Sequence, residues 1–128
     1  MNLPKDYLFT ENHEWIYVKG EEARVGITEY AQEEMGDIVF VELPEEGEDV
    51  IQFEEYGVIE SVKAVSDIYI PASGRVTAVN EDLLDQPELI NEEPYENGWI
   101  AVIDLSDDSE LDNLMDSTEY ASYLEEVE

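Results

Sequence analysis

A chain of 128 residues with 43% apolar side chains is long enough to bury a core of its own, which sets aside a disordered reading. Its 35 acidic residues against five basic ones leave a formal charge of −30, a surface that repels nucleic-acid phosphates and anionic lipid headgroups and so argues against nucleic acid and membrane as partners. The lack of cysteine removes disulfides, thiolate metal sites and a cysteine nucleophile.

The first ten residues hold no long apolar run and no arginine-rich pattern, and no stretch approaches the ~20 consecutive apolar residues of a membrane span, which predicts a soluble, cytoplasmic protein. "EWIYVKG" (14–20) alternates, meets Gly20, and resumes as "EARVGIT" (22–28), a predicted hairpin. "TEYAQEEMG" (28–36) reads as a short helix capped by Thr28 and closed by Gly36. "DIVFVELPEEGEDV" (37–50) is a β-branched and aromatic strand halted at Pro44 and turned at Gly47. After "QFEEYG" comes "GVIESVKAVSDIYIPASG" (57–74), strand-forming on both sides of Lys63, and "IYIPASGRVTAVN" (68–80) is broken by Pro71 and Gly74. Two stretches thus share a strand, proline, glycine, strand plan, a faint repeat that suits a sandwich of two similar halves. "NEDLLDQPELIN" offers one helical turn before Pro87, and "PYENGWIAVIDL" (94–105) ends in the last strand. In the tail, Leu111, Leu114 and Met115 fall at helical spacing, and Ser117 caps a stretch with Tyr120, Tyr123, Leu124 and Val127 on one stripe, which predicts one or two packed helices.

Carboxylates so numerous repel one another, and the screening length shrinks from ~10 Å at 0.1 M salt to ~3 Å at 1 M. The sequence therefore predicts a chain suited to a salt-rich setting.

Most familiar chemistries find no support. The one histidine, His13, has no nucleophile motif beside it, and no glycine-rich phosphate loop follows a strand. "DLSDDSELDNLM" (104–115) places Asp104, Ser106, Asp108, Glu110 and Asp112 at alternate ligand positions of a calcium loop. Ser109 stands where the turn needs glycine and Met115 where a bidentate glutamate belongs, so calcium is set aside. Carboxylate pairs are too common in this chain to mark a glycosidase. The run Glu45, Glu46, Glu48 and Asp49 reads as a solvated turn.

Lys63 is different. It lies near the middle of a hairpin between Val62 and Ala64, in a chain with three lysines. A surface lysine that happens to fall in a turn is one reading. A Schiff-base lysine needs desolvation, which an exposed tip among acids does not supply. Covalent attachment of a swinging cofactor wants this kind of reachable amine.

"GVIESVKAVSDIYIPASG" resembles the lipoyl-attachment segment of the glycine cleavage system H proteins, and "HEW" (13–15), "VGITEYAQEEMGDIVFVELPEEG" (25–47) and "LINEEPYENGWI" (89–100) are similar to the same family in the same order. Biotin carriers typically flank their lysine with methionine and the 2-oxo acid dehydrogenase lipoyl domains precede it with Asp, whereas Val62 and Ala64 stand here. The resemblance implies a mainly β fold, a lipoyl-domain-like sandwich of two antiparallel sheets (a barrel-sandwich hybrid), with a short internal helix and C-terminal helices. It implies one lipoyl-carrier domain over 1–128, its helical tail from about 108 to 128.

For function it implies a carrier without catalysis of its own, bearing lipoic acid as an amide on Lys63. The arm would take an aminomethyl group from a pyridoxal-phosphate-dependent glycine decarboxylase to a folate-dependent aminomethyltransferase, then its dithiol to dihydrolipoamide dehydrogenase. A lipoyl or octanoyl transferase, or a lipoate ligase, would load it. Glu14, Asp67 and Asn12 match the family's arm-contacting positions, Glu14 and Asp67 as carboxylates that could hold a protonated amine. Two departures stand out: Asn12 replaces a common serine before "HEW", and Glu34 replaces a histidine common on the first helix. An octanoyl or lipoyl relay platform in lipoate synthesis requires the same lysine and stays open. So does a non-carrier acidic module that docks basic partners.

Overall fold

Alternation along one strand turns Trp15 and Ile16 to opposite faces, and both are fully buried, so the chain packs a core on each side of that strand. The computed structural model describes residues 3–127. The strand in question, β2 (Glu14–Lys19), lies between β1 (Leu8–Phe9) and β3 (Glu22–Ile27), and the predicted β2–β3 hairpin closes at Lys19↔Glu22 with Gly20 at φ 69°. Gly26 allows Trp15 to lie flat on β3: a Cβ at position 26 would sit 2.6 Å from the indole Cζ2.

Helix α1 (Glu29–Met35) has the predicted caps. Thr28 Oγ1 accepts from the Ala31 amide at 3.2 Å, and Gly36 ends the helix at φ 81°. The segment 37–50 then divides between two sheets as β4 (Ile38–Glu42) and β5 (Asp49–Val50), either side of Pro44 and Gly47. β6 (Glu55–Ser61) and β7 (Val65–Tyr69) form the hairpin that carries Lys63, and β8 (Gly74–Val79) and β9 (Ala101–Leu105) complete the set.

The strands form a six-stranded sheet in the order β1-β2-β3-β9-β8-β5 and a three-stranded sheet β4-β6-β7, with every pair antiparallel. This is the mainly β, two-sheet architecture expected from the sequence. Ile16, Val25, Val41, Ile59, Ile70 and Ile103 belong to the main core. A second, aromatic cluster of Tyr7, Phe9, Trp15, Tyr120 and Leu124 joins the other face of β2 to the C-terminal helix.

α2 (Asp82–Asp85) supplies the helical turn expected before Pro87, and a second single turn, α3 (Leu89–Glu92), follows the proline. Two local expectations need correction. Leu111 lies in a 3-10 turn (Asp108–Asn113) and Leu114 and Met115 follow it in extended chain, where Met115 bridges to Phe9. The last helix, α4 (Ser117–Val127), is capped by Asp116 and not by Ser117. Asp116 Oδ1 accepts from the Glu119 amide at 2.8 Å while Glu119 Oε1 accepts from the Asp116 amide at 3.0 Å, a reciprocal box that a hydroxyl one residue later cannot make. Of the predicted stripe, Tyr120 and Leu124 are buried, Tyr123 is half-buried, and Val127 is exposed.

Candidate functional site

Ser61 shapes the turn that presents Lys63. Its amide donates to the Ala64 carbonyl at 2.8 Å, and its Oγ accepts from the amides of Lys63 at 3.2 Å and Ala64 at 3.0 Å. The next residue, Val62, ties the tip to the segment after α1 by donating its amide to the Asp37 carbonyl at 3.1 Å. Beside it the lysine stem passes Gly36, where a Cβ would lie 3.4 Å from Lys63 Cε, an ordinary contact distance. The backbone at the tip is thus fixed while the side chain stays exposed, and among the described residues its ammonium makes no ion pair.

Glu14 is not the surface acid that its place among 35 carboxylates would suggest. It is 2% exposed, at the start of β2, with Oε2 accepting from the Tyr69 amide at 2.8 Å and Oε1 from Thr10 Oγ1 at 3.2 Å. Burial pushes its carboxyl up to about 8, against the two hydrogen bonds, which favour the ionised form. Tyr56 is also fully buried, close enough for the Glu14 charge to act on it, and among the described residues its hydroxyl is unpartnered.

Asp67 is exposed on β7, opposite Val58 and two residues from the Tyr69 amide that holds Glu14. Glu14 is thus buried on β2 and engaged at both oxygens, while Asp67, on the strand that supplies the Tyr69 amide, is open to solvent. Asn12 is exposed, its amide donating to Thr10 Oγ1 at 3.2 Å. With Phe9, Thr10, Phe53, Asn113 and Met115 it lines a groove of about 420 Å³, into which Thr10 carries the Glu14 contact. Phe53 holds φ 68°, a left-handed conformation that an aromatic residue rarely adopts.

Glu34 is exposed on α1 and accepts from Tyr30 Oη at 3.3 Å. His13 serves the fold: Nδ1 lies 2.8 Å from Tyr120 Oη, which is 2.9 Å from Thr28 Oγ1, and burial lowers the imidazole pKa. In the former calcium-loop candidate, Glu110 is committed to Ser73, accepting from its amide and its hydroxyl at 2.8 Å each.

Tyr69 and Tyr56 carry no signal in the sequence for their place near Glu14, because they arrive from β7 and β6 through tertiary packing, whereas Thr10 meets Glu14 locally, four residues away in the turn before β2. What the arrangement offers chemically is a primary amine on an ordered, projecting turn, held in no ion pair among the described residues. Such an amine suits amide linkage to an acyl group, since a flexible stem reaches outward and nothing must move to admit the donor.

A family model described as "Glycine cleavage H-protein" matches residues 7–127. A glycine cleavage system H protein from Halothermothrix orenii is 58% identical over 128 residues, covering all of both chains. A probable glycine cleavage system H protein from Haloarcula marismortui is 50% identical over 97% of this chain and 98% of its own. Among solved structures, a glycine cleavage system H protein from Mycobacterium marinum superposes with a TM-score of 0.84 at 40% identity, covering 94% of this chain and 97% of that one.

Proposed function

Because the chain belongs to the glycine cleavage H-protein family, we propose that it is the lipoyl carrier of a glycine cleavage system, with lipoic acid joined as an amide to Lys63 and residues 1–128 acting as one carrier domain. Its partners are the glycine decarboxylase, the folate-dependent aminomethyltransferase and dihydrolipoamide dehydrogenase, with a lipoyl or octanoyl transferase or a lipoate ligase to load it. It works beside them in the cytoplasm; no helix among its described residues is long and apolar enough to cross a membrane. The protein itself catalyses no step.

When attached, the lipoyl group supplies a disulfide able to take up an aminomethyl group at the first enzyme, yield it at the second, and be reoxidised at the third. The chain's own residues present and shelter. Ser61 and the Val62–Asp37 bond hold the tip so that Lys63 projects, and tethering raises the effective concentration of the arm at each active site. Asn12, on the groove that Thr10 connects to Glu14, and Asp67, on the neighbouring strand, are the contacts proposed for the arm beside Glu14 itself. Asp67 supplies an exposed carboxylate for an amine, and Glu14 a carboxyl kept mostly protonated at neutral pH by burial.

The observation that carries this reading is the exposed, unpaired Lys63 on its ordered turn. Intact mass and peptide mapping of the protein from its own source, or made beside a lipoylating enzyme, will show one lipoyl group on Lys63 and none in Lys63→Arg. An unmodified Lys63, under conditions that modify another lipoyl domain, would overturn it.

A further inference from the structure

The outer face of the small sheet is unusually apolar for so acidic a chain, and the apolar positions gather around Lys63. The register places Phe40 opposite Glu60 and Glu60 opposite Val65, one row across β4, β6 and β7. The parallel row two residues along is Glu42, Val58 and Asp67. Phe40 is 51% exposed, Val65 67%, Val62 at the tip 70%, and Val39 51%.

A break in the strand creates this face. Pairing slips between Ile38 and Phe40, so Ile38 and Val41 point inward, both buried, while Val39 and Phe40 both face solvent. Without that bulge, alternation from Ile38 would put Phe40 in the core. Exposing a phenylalanine to water costs hydrophobic stabilisation, which folding alone gives no reason to forgo. The carboxylates of Glu60, Glu42 and Asp67 alternate with the apolar side chains, and the three strands contain no lysine or arginine.

We infer that this face, Phe40, Val65 and Val62 with Glu60, Glu42 and Asp67 between them, is the docking surface for the enzyme that acylates Lys63, whose matching surface has an apolar centre and a basic rim. The inference rests on the reading of Lys63 as the attachment point. Enzymes that work on the end of a long arm can do so at a distance from the tip. The acylating enzyme must bring its active site to Nζ itself, and therefore must cover the surface from which Nζ projects. Charge decides the rim: carboxylates interleaved with apolar groups favour arginine and lysine opposite them and reject an acidic partner. In the step itself the neutral amine attacks the acyl carbon of an activated lipoyl donor, such as an acyl adenylate. The C–N bond forms, the bond to AMP breaks, and the amine proton passes to solvent.

The test uses the full chain with a purified lipoate ligase, ATP and lipoate, following the mass of the product and the site by peptide mapping. Phe40→Ser combined with Val65→Ser should raise KM roughly tenfold or more with kcat little changed, as expected when a central apolar anchor is lost. Phe40→Leu should restore most of the loss, and Val127→Ser, an exposed apolar position on α4, should behave as the parent. Glu60→Gln with Glu42→Gln should flatten the fall of kcat/KM with added salt. Acetylation of Lys63 by a small activated ester should proceed alike in all variants, which separates docking from amine reactivity. Equal kcat/KM for parent and double serine variant overturns the docking surface while leaving the carrier reading standing. A parent chain left unmodified overturns the carrier reading first.

Discussion

Glu14 Oε2 accepts a 2.8 Å hydrogen bond from the amide of Tyr69, joining β2 of the large sheet to β7 of the small one. A carboxyl thus lies where two sheets meet, and Thr10 holds its other oxygen. The link lies at the opposite end of β7 from the turn that bears Lys63.

Stability should therefore depend on pH through Glu14. Its folded pKa is raised to about 8 from an ordinary 4.5. Below 4.5 the carboxyl is protonated folded and unfolded, and its contribution is fully present. As pH rises toward 8 the unfolded chain releases the proton and the folded chain does not, so stability is progressively lost. Denaturant melts from pH 4.5 to 8.5 will show that decline reduced in Glu14→Gln, whose amide mimics the neutral acid. A decline as steep in the variant as in the parent would assign it to the other carboxylates.

Salt should stabilise the fold. The formal charge is −30, and among the described residues one ion pair forms, Arg75 with Asp49 at 3.1 Å, both exposed. Repulsion is then balanced mainly by counterions, whose screening length falls from ~10 Å to ~3 Å between 0.1 and 1 M. The melting temperature will rise by several degrees over that range in sodium chloride. A flat profile would show that the carboxylates are too well dispersed and solvated to oppose folding.

The reciprocal cap at the start of α4 separates two adjacent residues. Asp116→Ala should cost about 1 kcal/mol, within the usual 0.5–2 kcal/mol for a lost cap, because the Glu119 amide loses its acceptor. Ser117→Ala should be close to neutral. Equilibrium urea melts of the two variants decide it, and equal losses would contradict the Asp116 cap.

Lys63 was legible because its signal is local: strand-forming residues on both sides of a turn, and one amine in a long stretch without cations. The helix over 28–36 was legible for the same reason, with Thr28 and Gly36 at its two ends. The cap of α4 was misplaced by one residue because Asp116 and Ser117 are both competent caps, and only the path of the chain from Met115 selects between them.

The sequence by itself determined most of the strands, the first helix, the projecting lysine and the family. Those features depend on neighbours in the chain, where period, turn residues and motif order act directly. Only the tertiary structure decided that Glu14 is the buried acid among the described residues, because its desolvation depends on packing against strands distant in the chain, with Tyr69 and Tyr56 brought beside it from β7 and β6. It alone decided that Phe40 faces water on the small sheet whose hairpin carries Lys63. The phase of a strand reverses at a bulge, and a bulge is fixed by how two strands pair rather than by the residues of either one.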